Sequence, residues 1–235
     1  MKYLRHITEN TTKEQDIHGV SFDKFKSDVG SGKPLDYDWV HSNAQRNLTG
    51  DTSHIKKEHM DAIQHWTTPE YRGINSVMRD LGGSSRSKKD AENLSHAVNG
   101  HALPNSTHVY RGIHSPYSDH LNTLSKGDTF HIKGFASTTL DPIRATHFAK
   151  GRDILHMTLP EGQKALYVSH PHLNSWETER EMLLPHNSHF KYHGHTDMES
   201  PEFNYHGEPT GEKKMYRFHH VEVIPHSPHS LQIDK

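Results

Sequence analysis

The stretch THVYRGIH, residues 107–114, is where the chain changes its period. Upstream of it the apolar residues recur at helical spacing; from it onward they come in short runs rich in β-branched and aromatic side chains, set off by Gly and Pro. On the upstream side Ile55, Met60, Ile63 and Trp66 predict a helix capped from Asp51, Thr52 or Ser53. Thr68 and Pro69 open a second helix through Tyr71, Ile74, Val77, Met78 and Leu81, stopped by Gly82 and Gly83. After a polar loop, Ala91, Leu94, Ala97 and Val98 mark a third. Residues 1–50 read as short helices and loops, with Phe22, Phe25 and Trp39 as scattered apolar positions.

On the downstream side, strands are predicted within residues 127–140, 153–160, 164–169, 180–185, 189–195 and 213–225. One helix interrupts them, DPIRATHFAKG (141–151), with Asp141 at its cap and Pro142 in its first turn. Two polar segments, 169–179 and 193–214, read as loops. Helices first and strands second give an α+β fold, without βαβ alternation and without a glycine dinucleotide fingerprint. The division that follows is a polar extension over 1–50, one domain over 51–225 and a flexible tail over 226–235.

A chain of 235 residues can bury a proper core. The hydrophobic fraction of 31% is low, so that core must be economical and polar loops are expected. Cysteine is absent, which excludes disulfides, thiolate metal sites and a cysteine nucleophile. No apolar run approaches the length of a membrane helix and the first residues lack the apolar core of a secretion signal, so no membrane partner is expected. A formal net charge of -2 offers no general field for polyanions, so nucleic acid is not expected as a ligand. There are 25 histidines, enough to make the protein strongly cationic on mild acidification. The pairs His170/His172, His193/His195, His186/His189 and His226/His229 have metal-ligand spacing, but no H-E-x-x-H motif accompanies them and no metal is expected.

The chemistry-bearing residues lie downstream. Arg111 falls inside the first strand, Ser137, Thr138 and Thr139 end a later one, and SWETEREMLLPHNSHF (175–190) sets Glu177, Glu179 and Glu181 at alternate positions before an apolar run. On a strand that spacing aims all three carboxylates at one side. An arginine in a cleft can grip phosphate, a hydroxyl can orient a carboxylate, and a carboxylate can stabilise a cation forming on a sugar. Taken singly, each has an ordinary reading: a surface arginine, a turn or cap, a solvated strand edge.

Their joint order resembles the arginine-serine-glutamate class of mono-ADP-ribosyltransferases. PEYRGINSVMRD, VYRGI, GDTFHIKGFASTTLD, ATHFAKGRDILHMTLPEG and WETEREMLLPHNSHFKY stand in the order and spacing of the bacterial binary actin-modifying toxins, with a shorter version in phage enzymes; the likeness covers residues 69–191. It implies N-terminal helices on a split, mostly antiparallel two-sheet β-core with NAD+ in the cleft. It also implies that Arg111 holds a phosphate of NAD+, that Ser137, supported by Thr138 and Thr139, positions the catalytic Glu181, and that Glu179 handles the incoming nucleophile. By the same likeness Gly112, Tyr71, Asn75, Phe148 and Arg152 or its neighbour meet NAD+, and Trp176 reads the substrate. The expected partner is a target protein presenting an arginine in the cytoplasm of a target or host cell, the enzyme acting as a monomer without a metal. An NAD glycohydrolase and a non-catalytic, histidine-rich metal- or pH-responsive binder are the alternatives. Two departures stand out: Gly112 replaces the second arginine of the toxins, and Gly134 replaces an asparagine three residues before Ser137.

Overall fold

In the computed structural model, which describes residues 19–32, 35–48, 55–149, 151–169, 179–204 and 208–224, the described chain before Thr107 is helical. Helix α1 (Phe22–Ser31) starts where the Ser21 side chain accepts from the Lys24 amide and ends at Gly32, whose φ of 67° is the left-handed conformation of a C-cap. It buries Phe22 and Phe25; α2 (Asp38–Asn47) buries Val40 and Ala44. These side chains share one core with the sheet, so the described residues 19–32 and 35–48 pack on the rest of the fold. Helices α3 (Lys57–Trp66), α4 (Tyr71–Met78) and α5 (Ser85–Gly100) follow.

Three boundaries differ from expectation. Asp51, Thr52 and Ser53 lie outside the described residues, and α3 begins at Lys57 without a side-chain cap. Thr67 and Thr68 turn their hydroxyls back onto the carbonyls of Gln64 and His65 and so close α3, while Thr68 also accepts from the Glu70 and Tyr71 amides ahead of α4. The polar SRSKK run is the first turn of α5, because the Ser84 side chain accepts from the Ser87 amide.

The strands form one eight-stranded sheet in the order β2-β7-β8-β4-β1-β3-β6-β5. They are β1 (Thr107–Gly112), β2 (Thr129–Ile132), β3 (Ala136–Thr139), β4 (Asp153–Leu159), β5 (Leu166–Tyr167), β6 (Glu181–Leu184), β7 (Ser188–Phe203) and β8 (Pro209–Ile224), with α6 (Tyr117–Leu121) and α7 (Pro142–Phe148) between them. All neighbours are antiparallel except β4 and β8. The sheet is split as the fold class requires: β1 and β3 share a single residue pair, Tyr110 with Thr139.

Strand parity fixes what each half presents. On β6, Met182 and Leu184 enter the core shared with α1 and α2, while Leu183 enters a second core under α3, α4 and α5. Phe135 belongs to that second core and Ala136 to the first. Glu181 and Ser137, two residues from Leu183 and Phe135, therefore face the α3–α5 layer. Residues 127–140, expected as one strand, are two: the Asn75 side chain accepts from the Phe135 amide at 2.9 Å and would lie 2.5 Å from a Cβ at Gly134, so α4 wedges the run apart.

The largest correction concerns residues 193–214, expected as a loop. Their described residues, 193–204 and 208–214, belong to the outer half of the long β7–β8 pair. Its polarity hid it: outside the core it carries charge pairs, Asp197 directly opposite Arg217 at 2.7 Å and Glu199 diagonal to Lys213 at 3.1 Å, while Phe203 and Tyr216 anchor it to the core. A second feature of this half is a chain of imidazoles on adjacent strands. His108 Nδ1 lies 3.2 Å from His156 Nε2, His156 Nδ1 lies 3.0 Å from His220 Nδ1, and His220 Nε2 lies 2.9 Å from the Thr196 hydroxyl. Burial pushes the His156 imidazole down to about 3, with the neighbouring histidines adding to the shift.

Candidate active site

A cavity of about 1090 Å³ opens along the β1–β3 seam, between the sheet and the α3–α4 region. Arg111 of β1, Ser137 of β3, and Glu179 and Glu181 at the start of β6 all line it. Ser137 pairs with Leu183 and Thr139 with Glu181, so Ser137 and Glu181 are diagonal neighbours on one face. Arg111 crosses the seam, donating from Nη1 to the Ser137 carbonyl.

The Glu181 carboxylate is the most enclosed group. Trp66 Nε1–H donates to its Oε1 at 3.0 Å, the Ser137 hydroxyl is a second hydrogen-bond partner, and its own amide donates to Ser169 Oγ at 2.7 Å. Burial pushes the carboxyl up, while Trp66, Ser137 and the Arg111 charge pull it back toward the anion. Glu179 is pushed up to about 7, first by burial and then by the charge of Glu181, with Arg144 opposing. Both carboxyls are raised by burial; at Glu181 three partners oppose the shift, while Glu179 is poised to exchange a proton near neutrality.

The alternation that suggested a continuous strand does not hold through this motif. Strand β6 begins at Glu181, Glu179 precedes it in a tight turn, and Arg180 between them has φ 50°. Glu177 and Trp176 lie outside the described residues.

The other expected contacts divide. Tyr71 and Phe148, both about two-fifths exposed, stand at the cavity mouth, and Asn75 and Thr138 line its wall. Asn75 Oδ1 is committed to the Phe135 amide, and the Thr138 hydroxyl donates to the Met182 carbonyl at 2.7 Å, so both also hold the walls together. Gly112 is a packing glycine: a Cβ there would come within 2.5 Å of the Ala149 nitrogen and the Ala145 carbonyl, so only glycine lets β1 lie against α7. Arg152 does not line the cavity; it stands exposed beyond the start of β4, its carbonyl accepting from the Arg217 amide.

Sequence reasoning missed two residues. Trp66 reads as a helical core position, and only the fold brings its indole to Glu181. Arg79, at the C-cap of α4, lines the same cavity, its charge opposes that of Arg111, and its buried Nε has no protein partner. Burial, with Arg79 next, lowers the Arg111 guanidinium. Two guanidiniums, those of Arg79 and Arg111, thus face one cavity.

Among the described residues no group of three His, Asp or Glu side chains is arranged to hold a metal ion. His193 pairs with Glu222 at 3.2 Å and His195 lies 3.3 Å from the Tyr192 hydroxyl. Nor is any described helix long and apolar enough to cross a membrane.

The fold is shared with solved structures. The enzymatic component C2-I of the C2 toxin from Clostridium botulinum superposes with a TM-score of 0.63 at 20% identity, over 80% of this chain and 48% of that one. C3stau2 from S. aureus, solved with NAD, gives 0.60 at 16% identity over 83% and 99%. The ADP-ribosylating toxin BECa of C. perfringens, solved with NADH, gives 0.59 at 22% over 79% and 47%. The chain thus spans about half the length of C2-I and BECa. No curated protein sequence matches it. The family model described as ADP-ribosyltransferase exoenzyme matches residues 41–215, a stretch that runs from within α2 to within β8 and takes in every wall of the cavity. By that match the chain belongs to the ADP-ribosyltransferase exoenzyme family.

Proposed function

We propose that the protein cleaves the nicotinamide–ribose bond of NAD+ and transfers ADP-ribose to an arginine side chain of a protein in a target or host cell. The observation that supports this best is the convergence of Arg111, Ser137, Glu179 and Glu181 on one cavity, with Glu181 hydrogen-bonded by Trp66 and Ser137. The pyridinium leaves as neutral nicotinamide and takes the bonding electron pair, so no general acid is needed. The ribose left behind is cationic, and a fixed carboxylate facing it is worth more in the transition state than in the ground state. Glu181 fills that role, Ser137 and Trp66 fix its orientation, and Arg111 with Arg79 grips the pyrophosphate. As an acceptor nitrogen attacks the ribose carbon it gives up a proton, which Glu179 takes.

Glu179→Gln is therefore expected to lose transfer to arginine by about 10²-fold or more while retaining NAD+ cleavage. In the wild type, transfer rises with pH through about 7 as Glu179 ionises. Labelled NAD+ incubated with a cell lysate reads both quantities, as label on protein and as free ADP-ribose. Equal transfer by the wild type and Glu179→Gln would remove that role from Glu179, and free ADP-ribose alone from the wild type would make the protein a glycohydrolase. Trp66→Phe keeps the ring but deletes the donor to Glu181; a hydrogen bond to a charged group is worth about 1.5–3 kcal/mol, so kcat for nicotinamide release should fall by about 10-fold or more with little change in KM. An unchanged kcat would show that the indole only packs.

A further inference from the structure

Between the two site glutamates stands a residue pointing the other way. Arg180 is buried, and its guanidinium donates to the Asp141 carboxylate at 2.6 Å, to the Asp38 carboxylate, and to the Tyr37 carbonyl at 3.0 Å. Its φ of 50° lies in the left-handed region that non-glycine side chains rarely adopt. Such a conformation persists only where the surroundings over-determine it. Here they do: three groups hold the side chain, the Arg180 carbonyl accepts from the Leu140 amide at 3.1 Å, and the Glu179 carbonyl accepts from the Thr139 hydroxyl at 2.8 Å.

The consequence falls on Glu179. With extended backbone at Arg180, β6 would continue and carry Glu179 a full pleat repeat along the strand, about 7 Å from Glu181. The left-handed residue instead breaks the extended run at that point, and Glu179 lines the cavity together with Glu181. The braces come from distant parts of the sequence. Tyr37 and Asp38 precede residue 41, where the family match begins. Asp141 is the cap of α7, its other oxygen accepting from the Ile143 amide at 2.9 Å, and α7 bears both Arg144 and Phe148.

We propose that Arg180 is a positioning residue for Glu179: tied to Asp141 and Asp38, it holds the one-residue left-handed turn that sets Glu179 beside Glu181, and so governs whether ADP-ribose passes to the acceptor or to water. This rests on the functional reading above, in which Glu179 serves the acceptor and Glu181 the cleavage.

The test compares wild type, Arg180→Lys, which keeps the charge but loses the fork, and Asp38→Asn, which removes the exposed partner and leaves Asp141 in place. Transfer to protein and nicotinamide release are measured in the same samples. The Glu179 carboxyl is titrated by ¹³C NMR, its signal assigned by its loss in Glu179→Gln. The ratio of transfer to release should fall about 10-fold in Arg180→Lys and several-fold in Asp38→Asn, with KM for NAD+ within about twofold of wild type. The Glu179 midpoint should drop from about 7 toward the ordinary carboxylate range as the side chain escapes to water. A merely structural arginine lowers transfer and release together and leaves ratio and midpoint unmoved; that result overturns the proposal. Should Arg180→Lys fail to fold, the same readings on Asp38→Asn decide. If the wild type releases no nicotinamide, the functional reading falls, and the NMR midpoint alone decides whether Arg180 positions Glu179.

Discussion

Glu181→Gln is expected to abolish nicotinamide release, lowering kcat by about 10³-fold or more, while leaving the protein as stable as the wild type or more so. The rate loss follows from electrostatics in a dry site. Removing a single aligned hydrogen-bond donor from a transition state costs about 3–4 kcal/mol, and a full charge facing an oxocarbenium in a water-poor cavity is a larger element. The stability gain follows from the same burial. The Glu181 carboxyl is pushed up by desolvation, so its anion opposes folding at neutral pH, and a neutral glutamine keeps the acceptor oxygen that Trp66 uses. Nicotinamide release and thermal unfolding on the same preparation check both halves. Substantial cleavage by a folded Glu181→Gln would take the catalytic role from this residue, and a large drop in Tm would show the carboxylate to be structural.

Acid should weaken the contribution of the buried imidazoles to stability in a defined pH window. His156 is neutral in the native state with its value down at about 3, and His108 and His220 on either side are lowered too, each first by burial. An unfolded histidine titrates near 6.5. Below that pH these three histidines bind more protons in the unfolded chain than in the folded one, so their contribution to stability is full above about 6.5 and is lost progressively down toward about 3, against the raised carboxyls Glu179 and Glu181, which act in the opposite sense. His156 alone accounts for about 2 kcal/mol by pH 5, a large share of the 5–15 kcal/mol of an ordinary domain. In urea unfolding at pH 8, 6.5 and 5, the wild type should lose stability relative to His156→Gln as the pH falls, by about 2 kcal/mol at pH 5. Parallel pH profiles for the two proteins would mean that the imidazole chain titrates freely and contributes nothing to acid lability.

Local pattern was enough for much of this molecule, and the reason lies in where the physics is local. The switch of period at Thr107 is a backbone property, so the helical first half and stranded second half were legible. Arg111, Ser137 and Glu181 were legible because each sits in a motif whose neighbours are in register, and strand parity brings Ser137 and Glu181 to one face. The outer β7–β8 hairpin was not, since a strand paired through Asp197–Arg217 and Glu199–Lys213 has a loop's composition. Trp66, Arg79 and Arg180 escaped for another reason. Their partners are Glu181, the cavity itself, and Asp38 with Asp141, and contacts between side chains 39 to 142 residues apart leave no periodicity to read. The turn at Arg180 overrode the alternation of Glu179 and Glu181 because a buried fork of hydrogen bonds outweighs the small local preference for extended backbone.

At the seam the strands share only one residue pair and the Arg111 guanidinium spans the gap to the Ser137 carbonyl, so in the proposed reaction this arginine has two jobs. Ligand grip and tertiary cohesion are therefore inherited together. A descendant relieved of its reaction still pays in foldedness for giving up that arginine, whereas it can discard Glu181 and gain by it. Inactive relatives built on this scaffold should thus keep the cation and shed the anion.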